Sequence, residues 1–247
     1  MRLEDVRMQK VLFFAALVLA VLVPLHGSMA IAPKMQPKVL ILSSVDKQYP
    51  MQYMVEITSE LTQAGYNVTF LKDTAVTVNF VTTQLNKYDV LIWRTNMYVH
   101  GNTTYWYLGQ PGNQTTAAAY ARSIPIGTLD ASTGVLGVSA NFFSDTYGPK
   151  SLSHLKLAIL ISSMSITLAQ IFLNAGVKTT IDFYQTLTAP LSLFDWVTKS
   201  LVDYLTTGNT VRDSIAKTIY NYEYVSSLDD SYLPPISFLG DGNLQIV

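Results

Sequence analysis

Unbroken apolar runs alternate along this chain with stretches whose apolar residues recur every three or four positions. Lys38-Val39-Leu40-Ile41-Leu42-Ser43-Ser44 is a continuous run of the kind that fills a strand buried on both faces. Met54, Ile57, Leu61 and Ala64 then share one helical face, and Gly65 supplies the stop. Asn67 to Leu71 predicts a second strand, Val76 to Leu85 a short helix among mixed signals, and Tyr88 to Arg94 a third strand. Strand–helix–strand–helix–strand alternation predicts right-handed crossovers and a parallel sheet.

The pattern breaks after Arg94. Residues 97–150 are rich in Gly, Asn, Thr and Tyr and exceed an ordinary loop in length. They read as an insertion with hairpins or edge strands of its own, or as a functional surface. Regularity returns at Leu155–Ile161, a fourth buried strand. Ser165 is placed to cap a helix carrying Leu168, Ile171, Phe172 and Ala175, which Gly176 ends. Val177 to Phe183 is a fifth strand. A long helix from about Pro190 aligns Phe194, Val197, Leu201 and Leu205, with Gly208 as its stop. Thr210-Val211-Arg212-Asp213 has the form of a capping box for a last helix whose stripe is Val211, Ile215 and Ile219. The tail from Phe238 to Ile246 reads as a turn followed by a final short strand. The expected class is α/β: a three-layer α/β/α sandwich around a mostly parallel sheet, forming a single domain over residues 36–247.

A leader precedes that domain. Val11 to Val23 is unbroken apolar sequence, preceded by Arg7 and Lys10 and closed by Pro24. Gly27-Ser28-Met29-Ala30 places small residues where a signal peptidase reads them, so residues 1–30 read as a signal peptide. The acidic pair Glu4-Asp5 sits oddly in such a segment, and a start at Met8 would give a tidier one. The run is shorter than the ~20 residues that span a bilayer. The alternative is an uncleaved membrane anchor through residues 11–23. Either way, the expected location of the domain is extracytoplasmic, secreted or anchored.

Composition narrows the chemistry. A net charge of −1 with scattered basic residues leaves no electrostatic footprint for nucleic acid. The absence of cysteine removes disulfides, thiolate catalysis and zinc–thiolate sites together. Ser43-Ser44-Val45-Asp46, after the first strand, lacks the glycines of a dinucleotide turn, so no cofactor is expected. Asp241 and the Asp229-Asp230 pair could meet a cation, but no spacing has the form of a calcium loop, and no metal is expected. Asn67-Val68-Thr69, Asn102-Thr103-Thr104 and Asn113-Gln114-Thr115 are N-glycosylation acceptors in form; Asn102 and Asn113, in the polar insertion, are better placed than Asn67 at a strand start. Tyr98, Tyr105, Trp106 and Tyr107 cluster in the insertion. They read as anchors for a protein interface or a carbohydrate platform, or else as cover for the sheet edge.

The segment Leu157-Ala158-Ile159-Leu160-Ile161-Ser162-Ser163-Met164, followed by Leu168-Ala169-Gln170-Ile171-Phe172-Leu173-Asn174-Ala175-Gly176-Val177, resembles the catalytic-cysteine region of caspase-like (clan CD) peptidases. The gingipain and CHAT-domain branches are nearest. In them a strand ends at a small residue followed by Cys, and a short helix leads to an AFL-x-AGA strand start. Residues 188–220 are similar to that group's helix pair, and Gly240-Asp241-Gly242-Asn243-Leu244 to its GDPxL turn. Residues 88–96 are similar to the strand that delivers the catalytic His. The likeness covers most of residues 38–247.

It implies a caspase-like fold without its chemistry. The nucleophile position holds Ser163 or Met164, depending on a one-residue gap, and a thioether supplies no thiolate. The His position holds Asn96, which has no useful pKa. The implied function is a catalytically inactive, exported domain acting as a structural or accessory subunit of a cell-envelope assembly, through protein partners or self-association. Two alternatives stand beside it. His100-Gly101 lies four residues further on, and a loop shift would make Ser163 and His100 a hydrolytic dyad. The third reading is an extracytoplasmic small-ligand or glycan binder, with its site at the strand carboxyl ends, the usual crevice of open α/β sheets.

Overall fold

The continuous apolar runs become the central strands of one sheet. A computed structural model of the protein describes residues 36–120, 129–162, 165–183, 191–226 and 236–247. The segment expected as a leader, Ser163, Met164 and the Asp229-Asp230 pair lie outside the described residues. The main sheet contains β1 (Lys38–Ser43), β2 (Asn67–Lys72), β3 (Val90–Arg94), β8 (Leu157–Ile161), β9 (Thr179–Phe183) and β10 (Ile236–Gly240), in the order β10-β9-β8-β3-β1-β2. All neighbours run parallel except β10, which is antiparallel to β9. The fold is α/β with a mostly parallel six-stranded sheet, as the alternation of elements predicts. The third and fourth predicted strands, β3 and β8, lie side by side from Val90↔Leu157 to Arg94↔Ile161.

Period-two alternation sorts the strand residues into two cores. Val39, Ile41, Val90, Ile92, Leu157, Ile159 and Phe183 face α1 (Met54–Gln63), α6 (Leu191–Thr206) and α7 (Val211–Ser226). Leu40, Leu42, Leu91, Trp93, Ala158 and Leu160 face α2 (Val78–Thr83), α4 (Ala140–Thr146) and α5 (Ile166–Asn174). Helices therefore cover both faces, which is why these strands carry no polar alternation. The predicted stripes Phe194, Val197, Leu201 and Leu205 on α6, and Val211 and Ile215 on α7, are buried. Thr77 opens α2, its Oγ1 accepting from Phe80 N–H at 3.1 Å. Thr210 Oγ1 accepts from Asp213 N–H at 3.1 Å and donates to the Asp213 carboxylate at 2.8 Å, at the predicted start of α7.

Two local expectations are corrected. Ser165 stands at the start of α5, but its hydroxyl does not cap the helix. It accepts from Phe183 N–H at 3.0 Å and donates to Phe183 O at 3.2 Å, tying the helix to the end of β9. In the tail, the strand precedes the turn. Ile236, Ser237 and Phe238 pair with Phe183, Asp182 and Ile181, and no strand follows Gly240. The residues after the turn have another use: the Gly242 and Leu244 carbonyls accept from Arg212 and Val211 N–H, satisfying first-turn amides of α7.

Four strands between Met97 and Ser139 build a second, antiparallel sheet. Its strands β4 (Met97–His100), β5 (Thr103–Pro111), β6 (Leu129–Asp130) and β7 (Val135–Ser139) lie in the order β4-β5-β7-β6, with α3 (Gln114–Tyr120) between β5 and β6. One face of this sheet, through Met97, Trp106, Leu108, Leu136 and Val138, joins the core on the α4–α5 side. No helix among the described residues is long and apolar enough to cross a membrane.

Candidate functional site

In an open parallel sheet, ligands bind outside the strand carboxyl ends where the order reverses. Here the chain runs from β1 outward to β2 and returns past β1 to β3, so the reversal falls between β1 and β3. The small sheet is fastened to that point. Tyr107 N–H donates to Asn96 O at 3.0 Å, and Thr95 Oγ1 donates to Tyr107 O at 2.7 Å. Between β5, the loop after β1 and the turn after β2 lies a cavity of about 610 Å³ whose walls include Tyr49, Lys47, Asp73, Thr74, Asn96 and Tyr107. Its size falls within the ordinary range for small-molecule sites, roughly 300–1,000 Å³.

The walls are held from below by a buried ion pair. Arg94, the last residue of β3, and Asp195 on α6 are each 1% exposed. Arg94 Nε donates to Asp195 Oδ1 at 2.6 Å, and Nη2 to Oδ2 at 3.1 Å. Arg94 Nη1 also donates to Tyr49 O at 2.6 Å, and Gln52 N–H to Asp195 Oδ2 at 3.2 Å. Burial holds the Asp195 carboxyl above its ordinary range, and the Arg94 guanidinium offsets only part of that rise. Trp93 Nε1 donates to Ser44 Oγ at 3.1 Å, so the loop after β1 is pinned at both ends. Across the cavity, Asp73 is non-glycine backbone at φ +46°, and its carboxylate accepts Lys47 N–H at 2.7 Å. Gly109 of β5 (φ +80°) approaches Asp73 so closely that a Cβ would overlap the Asp73 carbonyl oxygen. With the Tyr49 carbonyl held by Arg94 and the Asp73 turn pressed against Gly109, the cavity is preformed. With one cationic and one anionic residue, Lys47 and Asp73, in its walls, it favours a ligand without strong net charge.

Asn96 sits just past the carboxyl end of β3, and its Oδ1 accepts Met97 N–H at 2.9 Å. It also lines the cavity. Thr95 N–H donates to Ile161 O at 3.0 Å, which places Asn96 beside the end of β8. His100 lies on β4 opposite Thr103, with Nδ1 2.9 Å from Asp130 Oδ1. Strand alternation puts its side chain on the face of Tyr98, whose partner is Tyr105. Trp106 and Thr104 take the opposite face, and with Thr167 of α5 they line a second cleft. His100 is thus directed away from the helix that follows Ser163.

The aromatic cluster divides in the same way. Tyr98 stacks on Tyr105 (5.5 Å, 21°) and lies 4.8 Å from Tyr107. Trp106, however, is 1% exposed and belongs to the core, so it is not a surface anchor: period two turns every second residue of β5 inward. Of the glycosylation-type residues, Asn67 opens β2, Asn102 occupies an exposed turn, and Asn113 uses Oδ1 to accept Thr116 N–H at 2.9 Å at the start of α3. Asp241 accepts Asn243 N–H within the tail turn, and no cluster of three metal-ligating side chains occurs among the described residues.

Sequence reasoning missed Asp130, Asp195 and the role of Arg94. Asp130 gathers four side chains: Ser132, Tyr98, Gln114 and His100. Burial pushes its carboxyl up, but the bonds from Ser132, His100 and Gln114 outweigh burial and hold it well below the usual carboxylate range. A depressed folded-state pKa stabilises the fold above about pH 4, and the contribution fades as acid is added below that. Asp130→Ala is expected to cost about 2–3 kcal/mol at neutral pH. The deficit should shrink on acidification, as read from urea midpoints taken across pH.

No protein-family model matches this chain, and a search of curated proteins finds no match.

Proposed function

We propose that this chain is an exported, non-catalytic binding domain on a caspase-like scaffold. It takes a small ligand with a flat apolar face and neutral hydrogen-bonding edges, a glycan being the best-fitting class, in the crevice between β1 and β3. The observation that carries the reading is the 610 Å³ cavity at the reversal of strand order. Tyr49 and Tyr107 offer rings for stacking, and Asn96 and Thr74 offer neutral polar groups. The absence of any cysteine, and Asn96 where the peptidase fold would carry His, support binding without turnover. The orientation of His100 toward Asp130 supports it further.

A glycan array probed with the purified protein tests the reading. Retained glycans should lose about 30-fold or more in affinity when Tyr107→Ala removes one ring. Tyr49→Ala, at a residue 42% exposed, should do the same without disturbing the core. Retention that survives both changes contradicts the site, and labelling of wild type by a fluorophosphonate probe contradicts the lack of catalysis.

The second reading, a structural or accessory subunit of a cell-envelope assembly, is favoured by the open edge of the small sheet. There β4 has no partner strand on one side among the described residues and carries Val99 at 60% exposed. A protein that runs as a monomer and retains no envelope protein would count against it.

A further inference from the structure

A second cleft lies on the other face of β5, where the small sheet meets the starts of α4 and α5. It encloses about 220 Å³. Its lining includes Trp106 and Thr104 of β5, Ser139 at the end of β7, Asn102, Asn141 and Thr167. Two of these side chains are buried and unpaired. Trp106 is 1% exposed and Ser139 2% exposed, yet Trp106 Nε1 and Ser139 Oγ have no hydrogen-bond partner among the described residues. Ser139 stands at the N-cap position of α4, where a serine hydroxyl ordinarily accepts a first-turn amide, and makes no such bond. A buried polar group left unpaired is costly, so two together at one cleft mark a place where an occupant supplies the missing partners.

The lining also selects the occupant. Among the described residues, none that lines the cleft is charged. A carboxylate or ammonium would be desolvated there without a counter-charge, so charged ligands are disfavoured. Every polar side chain among the described lining residues ends in a hydroxyl, an amide or an indole N–H. Hydroxyls and amides both donate and accept, which suits a ligand whose own groups do the same. The volume accommodates one ring of hexose size. We infer that this cleft is a binding site for a single neutral sugar ring, with Trp106 Nε1 donating to a sugar oxygen and Ser139 Oγ completing the inner contact. The site is separate from the larger crevice, since Trp106 and Tyr107 project to opposite faces of β5.

The chain has three tryptophans, so its indole N–H region in a ¹⁵N-correlated NMR spectrum holds three signals. Trp106→Phe identifies the relevant one; should that variant not fold, Trp93→Phe and Trp196→Phe identify it by elimination. Titration of the full chain with glucose, galactose and N-acetylglucosamine is expected to move the Trp106 indole signal saturably with at least one of them. Glucuronate and glucosamine should leave it in place. Ser139→Ala should weaken the effective sugar about 2–10-fold, the worth of one hydrogen bond. The inference is overturned if no neutral sugar moves the Trp106 signal, if a charged sugar moves it as readily, or if Ser139→Ala changes nothing. Tyr107→Ala leaves the Trp106 response intact, which separates this site from the larger crevice.

Discussion

Asp195→Ala is expected to cost the domain about 3–5 kcal/mol of unfolding free energy, because it strands the Arg94 guanidinium in the core. Arg94 and Asp195 are each 1% exposed, and two of the guanidinium nitrogens spend their bonds on this carboxylate. Removing the partner leaves the charge without compensation and without water. The double change Arg94→Met with Asp195→Leu should recover most of the loss, since apolar replacement of a buried pair is often neutral or stabilising. Urea denaturation of the single and double variants reads both outcomes. The double variant should nevertheless bind ligand poorly. Arg94 Nη1 no longer holds Tyr49 O, and Gln52 N–H loses its acceptor, so the cavity wall after β1 is released even though the core is repaired. Recovered stability with lost binding would separate the two roles of one ion pair.

Gly109→Ala is expected to destabilise by about 2–4 kcal/mol, a sum of left-handed backbone strain and overlap with the turn after β2. Gly109 has φ +80°, and a Cβ there would run into the Asp73 carbonyl. Gly134 makes an internal control, because its φ is also +80° while nothing lies within 4 Å of its Cβ direction. Gly134→Ala should cost only the strain, about 1–2 kcal/mol. The difference between the two measures how tightly β5 presses on Asp73, and therefore how rigid that side of the crevice is. Equal costs would mean that β5 and the turn can move apart, and that the cavity is not preformed.

Legibility in the sequence followed burial. Residues 38–43, 90–94 and 157–161 announce themselves because strands covered on both faces have no reason to alternate. The ends of α1, α5 and α6 were readable because Gly65, Gly176 and Gly208 adopt positive φ, a position that favours glycine. The small sheet was not readable as a sheet. Its strands mix Thr, Tyr and Gly, and only one face is buried, so the apolar signal is halved and the Trp106 side cannot be told from the Tyr107 side. The tail strand was shifted because Ile236-Ser237-Phe238 gains its identity from pairing with β9, a contact between residues some fifty positions apart. Ser165 was misread for a similar reason: the cap competes with a backbone partner at Phe183 that sequence spacing does not reveal.

The candidate site was half legible. The carboxyl edge of the parallel sheet follows from the order of elements, and Asn96 was singled out there. What makes the edge a preformed cavity was hidden, because Arg94 and Asp195 are 101 positions apart and Asp130 meets His100 across thirty. Each of these residues alone reads as an ordinary surface charge. Only the fold brings them under cover, where an unpaired charge would be costly.

One measurement bears most directly on binding without turnover at the β1–β3 crevice. It is a tyrosine-selective NMR titration of the full chain with the neutral oligosaccharide it retains best on an array, with the sugar's anomeric signals followed in the same sample. Tyr49 and Tyr107 should shift together and saturate while the anomeric signals keep their intensity. Stationary Tyr49 and Tyr107 signals alongside shifts elsewhere, or the appearance of cleaved sugar, would contradict the account.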